Sequence, residues 1–165
     1  MPIILGIDPG SRLTGFGIIC SNGSDHQYLA SGCVRTEKGE FNNRLLQIYQ
    51  ALKEIIQNYK PEEAAVEQVF MHKNASSALK LGHARGAAII AVTESIEVVA
   101  EYSPRQIKQA VIGYGGAEKI QVQQMVQRLL NLNEVPQADA ADALAVAICH
   151  AHSRDMLRLL AEEGL

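Results

Sequence analysis

Tryptophan is absent from these 165 residues, and the aromatic complement is three Phe and five Tyr. The core must therefore be aliphatic, and an aromatic placed beside a charged motif stands out. Cysteine is almost as scarce. Cys20, Cys33 and Cys149 are odd in number and lack CxxC spacing, which argues against a disulfide framework or zinc module and for a reducing, cytoplasmic setting. No apolar run reaches the roughly 18–20 residues that cross a bilayer. The opening MPIILGIDPG has neither a basic n-region nor a cleavage site, so we expect no signal peptide and no membrane partner. Excess positive charge is also missing: the net charge is −3, which by itself disfavours nucleic acid. The distribution says more than the sum. Gln68 to Thr93 holds Lys73, Lys80 and Arg85 without one acid, and Tyr102 to Ala117 holds Arg105 and Lys108, with Lys119 just beyond. Such stretches can build a basic face on an acidic protein, although taken alone scattered surface charge is the simpler account of them.

What the chain does contain is a clear change of hydrophobic period. Ile3–Ile7, Gly15–Cys20 and Gln27–Thr36 read as three strands joined by short turns, an antiparallel opening. Phe41, Leu45, Ile48, Leu52, Ile55, Ile56 and Tyr59 then recur at helical spacing until Lys60-Pro61. A strand over Ala64–Val69, a small-residue helix from Ala75 to about Ser95 and a strand over Val98–Tyr102 follow. Ser103-Pro104 opens a short helix. Gly113-Tyr114-Gly115-Gly116 is a loop, and helices over Glu118–Leu132 and Gln137 to about Arg154 close the chain. This order predicts one α/β domain over residues 1–165, built on a five-stranded mixed sheet flanked by helices.

Four carboxylates fit that pattern poorly. Asp8 ends the first core strand, Glu67 lies in the fourth, and Asp139 and Asp142 sit in an alanine-rich helix with no cation beside them. At i and i+3 the last two share a helix face, about 5–6 Å apart. Taken singly, each has a plain structural reading: a turn Asp before Pro, an edge-strand Glu, an Asp favoured by a helix N-terminus. Taken together, converging acids repel unless a cation neutralises them. A ligand set of oxygens without His or Cys suits Mg²⁺ or Mn²⁺. Two such ions about 3.5–4 Å apart assist phosphodiester hydrolysis, the chemistry of a nuclease or phosphotransferase.

The blocks GIDPGS-LTG, EQVF, AEK (Ala117-Glu118-Lys119) and QADAADALA, spread from residue 3 to about 152, resemble the RuvC family of bacterial Holliday-junction resolvases. The resemblance implies a ribonuclease-H-like fold and a homodimer that nicks opposed strands of four-way junction DNA in recombination and repair, alongside the RuvA–RuvB branch-migration complex. It implies Mg²⁺-dependent hydrolysis, with Mn²⁺ as a substitute and two ions per site, leaving 5′-phosphate and 3′-hydroxyl ends. Asp8, Glu67, Asp139 and Asp142 fall on the family's catalytic, metal-holding positions, and Asp8 would bridge both ions. Phe70 falls on its base-contacting aromatic, although an ordinary core Phe fits the spacing as well. Lys108 and Lys119 match its basic DNA contacts.

Arg12, Lys73, Lys80, Arg85 and Arg105 are further DNA-binding candidates, each of which plain surface charge also explains. The glycine-rich loop either connects elements or brings backbone amides to phosphate. The small-residue helix either packs on the sheet or, as the resemblance implies, forms the dimer interface. In Cys149-His150-Ala151-His152 only Cys149 and His152 share a face, so packing and histidines at a helix C-terminus explain it better than a metal. His72 and His83 have no assigned role. An actin-like or sugar-kinase enzyme would need a second lobe, and a YqgF-type nuclease would lack the EQVF and QADAADALA blocks. A non-catalytic junction-binding module would have no use for four acids that repel DNA.

Overall fold

The computed structural model describes residues 1–68 and 74–164. Strands β1 (Ile3–Asp8), β2 (Leu13–Asn22) and β3 (Asp25–Arg35) form the antiparallel opening. β4 (Glu63–Glu67) pairs parallel with β1, and β5 (Val98–Tyr102) parallel with β4. The sheet order is therefore β3-β2-β1-β4-β5, the mixed five-stranded sheet expected from sequence. Helices α1 (Phe41–Tyr59) and α2 (Ala75–Thr93) cover one face. Helices α3 (Pro104–Ile112), α4 (Lys119–Leu129) and α5 (Ala138–Glu162) cover the other.

Boundaries move where pairing extends further than periodicity reveals. β2 and β3 reach toward each other until only Gly23-Ser24 remain between the paired Asn22 and Asp25, and Gly23 supplies the positive φ of 66° that this tight hairpin needs. Helix α5 continues to Glu162 rather than stopping near Arg154, because Met156 to Glu162 are good helix formers with no breaker before Gly164. His150 and His152 thus lie mid-helix, not at a C-terminus. Val69, the expected end of the fourth strand, lies outside the described residues.

Strand alternation sorts β1 into two faces. Leu5 and Ile7 pack with Ile48, Leu52 and Val92 of α1 and α2, while Ile4 packs with Leu144 and Ile148 of α5. Asp8, in step with Ile4 and Gly6, belongs to the α5 face. β4 repeats the arrangement, with Ala64 and Val66 toward α1 and α2, and Ala65 toward α5. Glu63 and Glu67 share the face of Ala65, one at each end of the strand.

Helix α5 lies unusually close to the sheet. A Cβ on Gly6 would collide with the backbone carbonyl of Ala143, and one on Gly15 with that of Asp139. At Gly17 it would approach Leu144 to 2.7 Å. Glycine at these positions removes the atoms that would hold the helix away. Alanines 140, 141, 143, 145, 147 and 151 of α5 are correspondingly buried. A polar clasp fixes the helix lengthwise: Arg154 donates from Nη2 and Nε to Glu63, at 2.7 and 3.0 Å, and His150 Nε2 lies 2.7 Å from Glu63 Oε2. Tyr102 Oη completes the group, 2.8 Å from His150 Nδ1.

Candidate active site

Asp8 and Glu67 stand at the C-terminal ends of adjacent parallel strands, each one residue beyond the paired Ile7 and Val66. The chain leaves Asp8 through Pro9-Gly10 into a loop tied at several points. Buried Thr14 donates from Oγ1 to the Gly10 carbonyl at 3.0 Å. Arg44 of α1 donates to the Ser11 carbonyl and to Thr36 Oγ1. Helix α5 then lays its first turns across the strand ends. Carboxylate oxygens of Asp8, Asp139 and Asp142 all lie within 4.8 Å of one another. Glu67 stands beside Asp8 at the end of the next strand, close enough for the two carboxyls to act on each other's protonation. The four carboxylates singled out in the sequence therefore converge.

Their charges are not balanced. Burial, then the hydrogen bond and charge of Glu67, then the charges of Asp142 and Asp139, push the Asp8 carboxyl up to about 9. Burial raises Glu67 as well, and the hydrogen bond from Asp8 works against that rise. Burial also raises Asp142, opposed by Lys119. In the metal-free fold Asp8 is thus favoured in its protonated form. Three clustered carboxylates plus a fourth, all oxygen donors, could hold a metal ion and suit a hard divalent one.

The absence of a nearby cation in sequence is made good by the fold. Lys119, the first residue of α4, lies with Nζ 3.3 Å from Asp142 Oδ2. Lys119 and Lys108 face the same cavity of about 210 Å³, which is also lined by Glu67, Asp142, Pro104, Ile107, Val122 and Ala145. Ile107 and Val122 are core residues of α3 and α4, and Pro104 is the first residue of α3. Their helical spacing marks them as core, and nothing in sequence marks them as the wall of a cleft. Ser103-Pro104 opens α3 as expected, and Ser103 also caps it, its Oγ accepting from Gln106 N.

The remaining candidates divide. Arg12 is exposed in the loop after Asp8, Lys80 is exposed on α2, and Arg105 is exposed with its side chain against Gly115. Arg85 is engaged by Glu101, 2.7 Å from Nη2 to Oε1. Phe70, Lys73 and His72 lie outside the described residues. His83 meets the ring of Phe41 edge-on. Cys149 and His152 do not combine as ligands. Instead, His152 Nε2 lies 3.0 Å from His26 Nε2, with Ser21 at the far side of His26 and the Ala110 carbonyl at the far side of His152.

An antiparallel three-stranded meander continued by two parallel strands, with the last helix carrying acids to the tip of the first strand, defines a ribonuclease-H-like protein with an acidic centre. Comparison with solved structures agrees: the chain superposes on Thermus thermophilus RuvC in complex with Holliday junction substrate at a TM-score of 0.88, with 35% identity, covering 94% of this chain and 96% of that one. The chain belongs to the RuvC family, since the family model described as crossover junction endodeoxyribonuclease RuvC matches residues 4–150. Curated relatives of that name are 59% identical in Aeromonas hydrophila, over 95% of this chain and 91% of theirs, and 59% identical in Vibrio parahaemolyticus, over 98% and 93%. Among the described residues no helix is long and apolar enough to cross a membrane.

Proposed function

We propose that this chain resolves four-way DNA junctions in recombination and repair, hydrolysing one phosphodiester in each of two opposed strands and leaving 5′-phosphate and 3′-hydroxyl ends. The observation that carries the reading is the convergence of Asp8, Asp139 and Asp142 within 4.8 Å, with Glu67 on the adjacent strand end, in a member of the RuvC family. These four acids are the catalytic set and would hold Mg²⁺, two ions per site, with Mn²⁺ as a substitute. Bound there, the ions supply Lewis-acid polarisation of the phosphodiester and a nucleophile at neutral pH.

The protein's own groups do the rest. Asp8 and Glu67 would offer both carboxylates to the ions, and the parallel strands keep the two carboxyls at a fixed spacing. Lys108 and Lys119 face the cleft and take phosphate oxygens, while Pro104, Ile107 and Val122 form an apolar wall that limits water. Phe70, three residues after Glu67, stacks on an unpaired base, worth about 1–3 kcal/mol. Arg12, Lys73, Lys80 and Arg105 add diffuse attraction for the backbone, and Arg85 joins them only on leaving Glu101.

Two opposed nicks call for two sites. Helix α2 presents Leu79, Gly82, Gly86 and Ile90 along one exposed side, and a Cβ at either glycine would meet nothing within 4 Å. This side is the proposed homodimer contact, so that a two-fold axis places one acidic centre on each strand. The chain acts as one domain in the cytoplasm, with the RuvA–RuvB branch-migration complex as a partner.

The deciding experiment compares a synthetic four-way junction, linear duplex and RNA–DNA hybrid, each with Mg²⁺. Paired nicks on the junction alone are expected. Preferred cleavage of the hybrid would replace the proposal with a ribonuclease H activity. Asp8→Asn should abolish cleavage while junction binding survives. Loss of activity in Phe70→Ala but not in Phe70→Tyr would support stacking, and equal activity in both would remove it.

A further inference from the structure

Lys119 holds a position that its local structure does not favour. It is the first residue of α4, where the helix dipole opposes a cation, and its ammonium is paired with Asp142. Asp142 is one of the three acids whose oxygens cluster, so Lys119 neutralises part of the group proposed to take metal. The lysine is itself 62% exposed against 21% for Asp142, and it sits at a helix end that lines the cleft. Lys108 lines the same cavity and makes no ion pair with any described residue. The two lysines are therefore inequivalent: one is available to phosphate from the outset, and the other is held by a metal-site acid.

We propose that Lys119 is an exchangeable counter-ion, paired with Asp142 while the acidic centre lacks metal and transferred to a DNA phosphate when metal binds. This inference rests on the metal-centre reading above. An ammonium beside Asp142 competes with a divalent cation for the same carboxylate and repels it. A phosphate that draws Lys119 away removes that competition. Divalent metal and junction DNA thus tighten each other's binding through this side chain, with the reciprocity that linkage requires. The consequence is economy of action, because metal loading is weak until DNA lies in the cleft. The charge of Asp142 and the charges behind it hold the Lys119 ammonium above its ordinary pKa, so the side chain is cationic throughout the neutral range.

The test titrates Mn²⁺ into the intact protein without DNA, reading free Mn²⁺ by electron paramagnetic resonance, for the parent, Lys119→Gln and Lys119→Arg. Lys119→Gln is expected to bind Mn²⁺ several-fold to roughly tenfold more tightly than the parent, a coupling in the ordinary allosteric range. Lys119→Arg, which keeps the charge, should stay near the parent. A second titration adds a junction whose scissile linkages carry a methylene in place of the leaving 3′-oxygen, so that they cannot be hydrolysed. The gain in Mn²⁺ affinity caused by that DNA should shrink in Lys119→Gln. If DNA-free Mn²⁺ affinity is the same in Lys119→Gln and the parent, Lys119 is only a DNA contact and the exchange is refuted. If the parent binds no Mn²⁺ at this centre, as shown by equal titrations of parent and Asp8→Asn, the metal-centre reading falls and the exchange falls with it.

Discussion

Asp8 and Glu67 end adjacent parallel strands side by side, and burial together with the acids around it pushes the Asp8 carboxyl up to about 9. The metal-free fold thus carries a proton that the unfolded chain releases above about pH 4. Because the native state binds more protons than the unfolded state across that interval, stability must fall as pH rises from the ordinary carboxylate range toward 9. Thermal melts in EDTA should show Tm declining between pH 5 and 8, and Asp8→Asn should flatten the decline. At pH 8 the variant should be the more stable chain by about 1–2 kcal/mol, or roughly 2–4 °C per kcal/mol. Mn²⁺ should raise the parent's Tm and leave the variant's nearly unmoved. A pH slope unchanged by Asp8→Asn would mean that the acids are not strained against one another.

The contact between Gly6 and the Ala143 carbonyl gives a second prediction, on packing rather than charge. Gly6→Ala puts a methyl where backbone already stands, and backbone cannot yield as a side chain can. Helix α5 must then lift from β1, taking Asp139 and Asp142 with it. We expect a loss of about 2–4 kcal/mol in urea denaturation, and cleavage reduced further than the loss of folded protein explains. Wild-type activity per folded molecule would show that the close approach of α5 does not set the site.

These two residues also illustrate what the sequence discloses. Asp8 was legible because a charge at the end of Ile3–Ile7 violates the pattern around it, and Asp139 and Asp142 were legible because alanines surround them. Gly6 was not, since a glycine within a strand does not say which element approaches it. The Lys119–Asp142 pair and the clasp of Glu63 by His150 and Arg154 were hidden for the same reason. Glu63 and His150 are 87 residues apart, and only the crossing of α5 over β4 brings them together. Periodicity reports which face a residue takes, whereas contacts across the sheet depend on where a distant helix comes to rest. The length of α5 was underestimated although no breaker stands between Arg154 and Gly164.

His26 supplies a pH effect of the opposite sign. The Ala110 carbonyl can only accept, so His152 donates to it from Nδ1 and keeps its Nε2 lone pair for His26 Nε2–H. His26 Nδ1 then accepts from the Ser21 hydroxyl. A neutral His26 completes this chain. Burial and the neighbouring His152 lower its pKa, against the pull of Asp155 and Asp25. The unfolded chain therefore takes up the proton first as pH falls below about 6.5, and stability is lost on the acid side. Comparing parent with His26→Gln cancels the acidic centre, which both chains share. The parent should lose more stability than the variant between pH 7 and 5, and parallel pH profiles would count against a buried neutral histidine.

The exposed side of α2 bears on how two nicks are coordinated. Ile90 is 58% exposed and Leu79 is 66% exposed, with Gly82 and Gly86 between them leaving room for a partner to approach closely. A carboxylate placed there meets solvent in a monomer and costs little, but in a two-fold contact it faces its own copy as a buried, unpaired charge. Ile90→Glu should therefore leave the melting temperature of dilute protein almost unchanged while shifting sedimentation from dimer to monomer at micromolar concentration. On a plasmid-borne cruciform the parent should cut both strands within one binding event and give linear product. The variant, with an intact acidic centre in each chain but no fixed partner, should give nicked circles in its place. Linear product in parent-like proportion, from a protein that sediments as a monomer, would show that pairing through this helix does not coordinate the two cuts.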